Sequence, residues 1–158
     1  MTTNEPWARS PDLIEEVMVQ LIRSLGLHRP LVLPGGAALS VSEVAALWVL
    51  AGADAGPLTQ AELGRRLWLE KSTVSRLIAG LERRGWVVRR RDDANRRFVR
   101  VELTDRGRDL SAELTTFMSD RHRRIEAELT AAEREALRVG IAALTRAMGA
   151  IGAPTTDS

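Results

Sequence analysis

Apolar residues recur along this chain with two periods, and the change from one to the other marks out its elements. Leu13, Ile14, Val17, Met18, Leu21, Ile22 and Leu25 form a wide helical stripe, so the spacing predicts an amphipathic helix over 13–25. The stretch GLHRPLVLPGGAALS, residues 26–40, carries two prolines and three glycines and reads as a connecting loop. Ser40 with Glu43 is a capping box, and Val44, Leu47, Trp48 and Ala51 follow at helical spacing until AGADAGP stops the pattern. A second box, Thr59 with Glu62, opens a short helix through about Leu67. After a turn of two to three residues comes LEKSTVSRLIAGLERRGW, residues 69–86, where Val74, Leu77, Ile78 and Leu81 face a core and Gly85 sits where a helix-ending glycine belongs.

Beyond Trp86 the period drops to two. Val87, Arg89 and Arg91 alternate with Val88 and Arg90, and Phe98, Val99, Val101 and Leu103 recover strand character on the far side of DDAN. This predicts a β-hairpin with a charged tip, too thin in apolar content to persist without helices behind it. From Thr104 the pattern is helical again, with a face through Leu110, Leu114, Phe117, Arg121 and Ile125. A third box, Thr130 with Glu133, starts a last helix in which Leu137, Ile141, Leu144 and Met148 repeat in sevens.

Charge sharpens this picture. The 158 residues carry a formal net charge of only +2, yet residues 65–100 hold twelve basic side chains against four acidic, a local +8 on an otherwise acidic chain. A centre of that kind suits a polyanion. The first turn of the helix in 69–86 offers Lys71, Ser72, Thr73, Ser75 and Arg76, small hydroxyls and two long cations where a core-facing turn would be apolar. A capped helix, a tight turn, a second helix with a polar start and a basic hairpin, all within residues 59–100, make a helix-turn-helix followed by a wing. Such a second helix enters the major groove of double-stranded DNA, where Arg76 has the fork geometry for a guanine edge.

The chain contains no cysteine, which excludes disulfides, thiolate metal sites and thiol redox sensing. Its two histidines, His28 and His122, lie in different segments, and no HExxH, glycine-rich phosphate loop or GxSxG is present. Asp120, His122 and Glu126 lie near one helical face, but a solvated charged face is the better reading than a metal site. No enzyme, metal or cofactor is expected. The opening MTTNEPWARS lacks a charged-then-apolar leader pattern, and the longest uncharged apolar run, Val44–Ala53, falls far short of the roughly 18 residues a membrane span needs. A cytoplasmic protein without membrane contact is expected.

The run from Leu58 to Leu110 resembles the DNA-binding core of the MarR family of transcriptional regulators. The resemblance rests on Thr73-Val74-Ser75-Arg76-Leu77, on Leu81-Glu82-Arg83-Arg84-Gly85, on the Asp-containing wing, and on Leu103-Thr104 with Gly107. It implies a mainly α (α+β) fold: a winged helix-turn-helix with a helical dimerisation region built from the N- and C-terminal helices. It divides the chain into a dimerisation helix and loop over 1–40, a DNA-binding domain over 41–103, dimerisation helices over 104–150 and a tail over 151–158. The apolar stripes of the first and last two helices exceed what so small a winged domain could cover, which argues independently for a homodimer. The reading is a regulator, a repressor rather than an activator, that binds a palindromic operator. The alternatives are a winged-helix protein-interaction module and, more weakly, an enzyme.

The residues expected on DNA are Lys71, Ser72, Thr73, Ser75 and Arg76 from the helix and Arg90, Arg91, Asn95, Arg96 and Arg97 from the wing. Family wings read Asp-x-Arg at the tip; here Asp92-Asp93-Ala94 stands there, and Arg96 or Arg97 is expected to replace that arginine. By resemblance, a small aromatic or anionic effector binds between the dimer helices and the winged domain, with Met18, Arg23, His28 and Trp48 as candidate lining, each also readable as plain core or surface. Trp68 stands where relatives commonly carry glycine. Because a bulky residue resists positive φ, its turn is expected to avoid the left-handed region, with the ring packed over the helix junction.

Overall fold

The computed structural model describes residues 13–52, 56–91 and 99–151. The chain divides into two compact units, residues 1–114 and 115–158.

In the first unit α1 (Leu13–Ser24) leads through two short paired strands, β1 (Leu31–Val32) and β2 (Ala38–Leu39), to α2 (Val41–Ala51). Then come β3 (Leu58–Thr59), α3 (Gln60–Leu67), α4 (Lys71–Arg83), β4 (Val87–Arg91), β5 (Val99–Leu103) and the first turns of α5 (Asp105–Glu128). The expected loop over 26–40 therefore contains a small hairpin. With two residues per strand there is no alternation to read, and Gly36, at a φ of 82°, turns the chain between them. The three-stranded sheet runs β3-β5-β4, antiparallel throughout, with Leu58 opposite Val101 and Val87 opposite Leu103. Its outer strand β3 is the two residues that precede α3, so the sheet and the helix pair are joined at Thr59.

All three capping boxes are formed. Ser40 and Glu43 start α2, and Thr59 and Glu62 start α3, each hydroxyl accepting from the backbone of its glutamate while the carboxylate accepts in return. Each box satisfies two helix-end donors that water would otherwise have to serve.

The core of this unit lies between the helices and the sheet: Leu39, Leu47, Leu63, Val74, Ile78, Leu81, Val101 and Leu114 are fully enclosed, and Trp86 is nearly so. Of the face expected from 69–86, Val74, Ile78 and Leu81 are buried and Leu77 is half-buried. Burial of each such aliphatic side chain contributes about 1.5–3 kcal/mol. Arg84 ties three segments together: it donates to Glu43 Oε1 at 3.1 Å and to the Ala38 carbonyl at 2.8 Å, and its guanidinium lies 3.7 Å from the centre of the Trp86 ring. Trp48, at 40% exposure, is not the core residue its helical spacing allowed.

Two glycines set close approaches. A side chain on Gly64 would meet Val74 Cγ2 at 3.1 Å and the Leu69 carbonyl at 3.3 Å, so the bare backbone lets α3 and α4 cross closely. Gly107 abuts the Trp86 carbonyl, so the start of α5 lies directly against the chain entering β4.

The turn between α3 and α4 departs from expectation. Trp68 has φ 56° and ψ 40°, left-handed, the single described residue other than glycine with positive φ. An eight-residue helix that must stop and reverse does so by the tightest closure available: Trp68 N–H bonds to the Arg65 carbonyl at 3.3 Å and Leu69 N–H to the Gly64 carbonyl at 3.0 Å. Satisfying both carbonyls outweighs the roughly 1–2 kcal/mol that left-handed backbone costs a residue with a Cβ. Nor does the ring cover the helix junction; Trp68 is 79% exposed.

The second unit contains the remainder of α5 and α6 (Ala131–Ile151). Thr130 and Glu133 form the third capping box, and Arg134 donates to the Leu129 carbonyl at 2.6 Å and the Glu126 carbonyl at 3.0 Å, closing the α5 end. Asp120 is paired with Arg123 at 2.6 Å, as befits a solvated face. Ile125, Leu137, Val139, Ile141 and Met148 are all exposed, the last at 59%. No described helix is long and apolar enough to cross a membrane.

Candidate nucleic-acid interface

The site is built outward from α4. Its inner face is pinned by Val74, Ile78 and Leu81, which leaves Lys71, Ser72, Ser75 and Arg76 exposed on the other side, with Thr73 half-buried between them. The helix starts differently from α2 and α3. Its N-cap, Glu70, makes no side-chain cap bond, so the first N–H groups of α4 and their partial positive charge are left without the capping oxygen that α2 and α3 have. That is a ready site for a phosphate oxygen.

A residue beyond those expected steadies this end. Gln60, first in α3, reaches the Lys71 carbonyl with Nε2 at 3.5 Å. Its position directly after the capping Thr59 was the only sequence signal for it.

The wing is held against α4 by Arg89, which donates to the Ser75 carbonyl at 3.5 Å and lies 3.7 Å from Glu82. Strand alternation explains this. Arg89 shares a face with buried Val87, toward the helix, whereas Arg90 points the other way and pairs with Glu102 on the neighbouring strand. Arg91, the last described residue of β4, is exposed. Asn95, Arg96 and Arg97, expected at the wing tip, lie outside the described residues. Arg100, inside the sheet, donates to the Pro57 carbonyl at 3.0 Å.

The electrostatics of the α3 start are set locally. The Thr59 backbone N–H, then its hydroxyl, hold the Glu62 carboxyl below its ordinary value, with Arg100 and Arg65 adding smaller contributions in the same direction. Glu62 is therefore a stable anion at neutral pH, engaged in capping.

Of the effector candidates, Met18 and Arg23 are exposed on α1, His28 is exposed beyond it with Nδ1 3.5 Å from the Ile22 carbonyl, and Trp48 is exposed on α2. A separate cavity of about 580 Å³ is bounded by Gly35, Arg84, Trp86, Arg106, Asp109 and Glu113 among others, and none of the four lines it. Glu113 spans one wall, accepting from the Gly35 N–H at 2.7 Å.

Residues 39–97, which include α2, the helix pair and the start of the wing, match the family model of the MarR family. Over that segment the chain is similar to the MarR family of regulators. Among curated relatives of this chain is the HTH-type transcriptional regulator TtmR of Methylorubrum extorquens, 37% identical over 92 residues, covering 58% of this chain and 42% of that protein. The HTH-type transcriptional regulator SarZ of Staphylococcus epidermidis is 35% identical over 49 residues, covering 31% and 33% respectively. The matched part thus spans less than half the length of either relative. In three dimensions the chain is similar to Streptococcus pneumoniae FabT, whose structure was solved in complex with DNA: TM-score 0.71 at 20% identity, over 87% of this chain and 96% of that one. The mainly α winged helix-turn-helix architecture expected from the sequence is the architecture found.

Proposed function

We propose that this chain is a MarR-family transcriptional regulator that binds double-stranded DNA, α4 entering the major groove and the β4–β5 wing resting on the flanking backbone. The observation that carries the reading is the outer surface of α4, where Lys71, Ser72, Ser75 and Arg76 stand exposed beside a helix start with no side-chain cap. Basic side chains supply attraction to phosphate, and the hydroxyls and Arg76 supply groups for base edges. The DNA complex of FabT, a protein of similar fold, is consistent with this use of the surface. Nothing in the reading calls for catalysis or a cofactor, and its site of action is the cytoplasm.

The finer reading is a homodimer on a palindromic operator, acting as a repressor. Ile14, Val17, Met18, Val19 and Ile22 on α1, and Leu137, Ile141 and Met148 on α6, are apolar and exposed in the single chain, which supports covering by a second copy. A two-fold dimer would set two α4 helices about 34 Å apart, one turn of DNA. Effector release, with Met18, Arg23, His28 and Trp48 toward the ligand, requires a molecule that prefers one dimer geometry over the other.

The test is the salt dependence of DNA binding. If a dimer neutralises roughly 6 to 10 phosphates, fluorescence anisotropy should show affinity falling by about 10³ to 10⁵ between ~50 and ~200 mM salt. A flat response would instead favour a winged helix that contacts proteins.

A further inference from the structure

Three helices of the first unit end in the same two-bond closure. After α1, Gly26 N–H bonds to the Arg23 carbonyl at 3.1 Å and Leu27 N–H to Ile22 at 3.0 Å; after α4, Gly85 N–H bonds to Glu82 at 2.9 Å and Trp86 N–H to Leu81 at 3.0 Å. After α3 the pair is Trp68 to Arg65 and Leu69 to Gly64. The hinge residue has positive φ each time: 70° at Gly26, 72° at Gly85 and 56° at Trp68. Glycine meets this demand freely, and a residue with a Cβ does not. Only the closure directly before α4 uses a tryptophan.

Burial does not account for that choice, since the indole is 79% exposed. A strained backbone carrying a large apolar ring into water points to a contact outside the chain. Position identifies the occupant. Trp68 precedes Lys71 by three residues, a span of at most about 10 Å, and the major groove is about 12 Å wide. With the first turn of α4 in the groove, Trp68 meets the groove wall, which is sugar and phosphate. The indole suits that wall: its Nε1–H donates to a phosphate oxygen and its face covers the apolar side of a deoxyribose.

We infer that Trp68 is a sequence-independent DNA contact, its indole lying on the sugar–phosphate backbone at the edge of the groove that α4 enters. The inference rests on the DNA-binding reading above. Being uncharged, the side chain displaces no counterion, so it adds affinity without adding to the salt slope.

The experiment uses the full chain with Trp68→Gly and Trp68→Phe. Each is titrated against a duplex selected by the wild type from a randomised pool, and against a random-sequence duplex of equal length, over a salt series. Glycine fits the left-handed hinge, so Trp68→Gly should melt at or above the wild-type temperature while binding both duplexes about tenfold more weakly, the scale of one hydrogen bond to a charged group, with an unchanged salt slope. Trp68→Phe, which keeps a ring but loses the donor, should fall between. Unchanged affinity of Trp68→Gly on both duplexes overturns the inference and leaves the DNA reading standing. A lower melting temperature, or a shift toward monomer in sedimentation, also overturns it by assigning the ring to packing or to a second copy. If the wild type selects no duplex and binds neither, the DNA reading fails and this inference with it.

Discussion

A methyl group on Gly107 would sit 1.9 Å from the carbonyl oxygen of Trp86. Trp86 stands just before β4 and Gly107 in the first turn of α5, and Thr104, between β5 and α5, ties the two together. Its hydroxyl donates to the Gly85 carbonyl at 2.7 Å and accepts from Gly107 N–H at 3.0 Å, while its own N–H reaches Trp86 at 3.1 Å. Because backbone meets backbone here, no side chain can swing away to make room. Gly107→Ala is therefore expected to destabilise the chain by about 3 kcal/mol or more, at the upper end of overpacking effects. Urea denaturation should show a lower midpoint with an unchanged slope.

The three arginines with distinct surroundings should separate on DNA. Arg76, exposed one turn into α4, is expected to contribute about 1–3 kcal/mol of discrimination, so Arg76→Ala should narrow the gap between selected and random duplex. Arg91→Ala should weaken both duplexes equally. Arg90 already pairs with Glu102, so Arg90→Ala should have a smaller effect than Arg91→Ala in the same anisotropy assay. A larger effect of Arg90→Ala would mean that the pair opens on DNA.

The apolar outer face of α1 should be intolerant of charge if a second copy covers it. Ile22 is 40% exposed in the single chain, where a glutamate would be harmless by itself. In a dimer interface the same carboxylate would be desolvated without a partner, which costs several kcal/mol. Ile22→Glu should sediment as a folded monomer and lose the affinity gained from two half-sites.

Acid should weaken the α3 start in a defined direction. Thr59 holds Glu62 below its ordinary pKa of 4.5, so the carboxylate's contribution is complete above that value and is lost as pH falls through the depressed folded value. Glu62→Gln should flatten the dependence of melting temperature on pH as pH falls below the ordinary glutamate value. Thr59→Ala, which removes the hydroxyl half of the box, should lower stability by about 1 kcal/mol at neutral pH.

Much of this molecule was legible along the chain because its signals are local. Each capping box spans four residues, the helical stripes repeat within a turn or two, and the change to period two marks the wing. The cluster of exposed cations on α4 followed from the same arithmetic, since fixing Val74, Ile78 and Leu81 inward turns Arg76 outward. What stayed hidden depends on partners distant in sequence or on the sum of competing terms. Glu43 and Arg84 meet across forty-one residues, and β3 is a strand only because Val101 lies beside Leu58. Arg90 looked like a free cation until the sheet placed Glu102 next to it. At Trp68 the local rule pointed the wrong way. Propensity disfavours left-handed tryptophan, but two backbone hydrogen bonds and the close crossing at Gly64 decide the turn, and those exist only once α3 and α4 are packed.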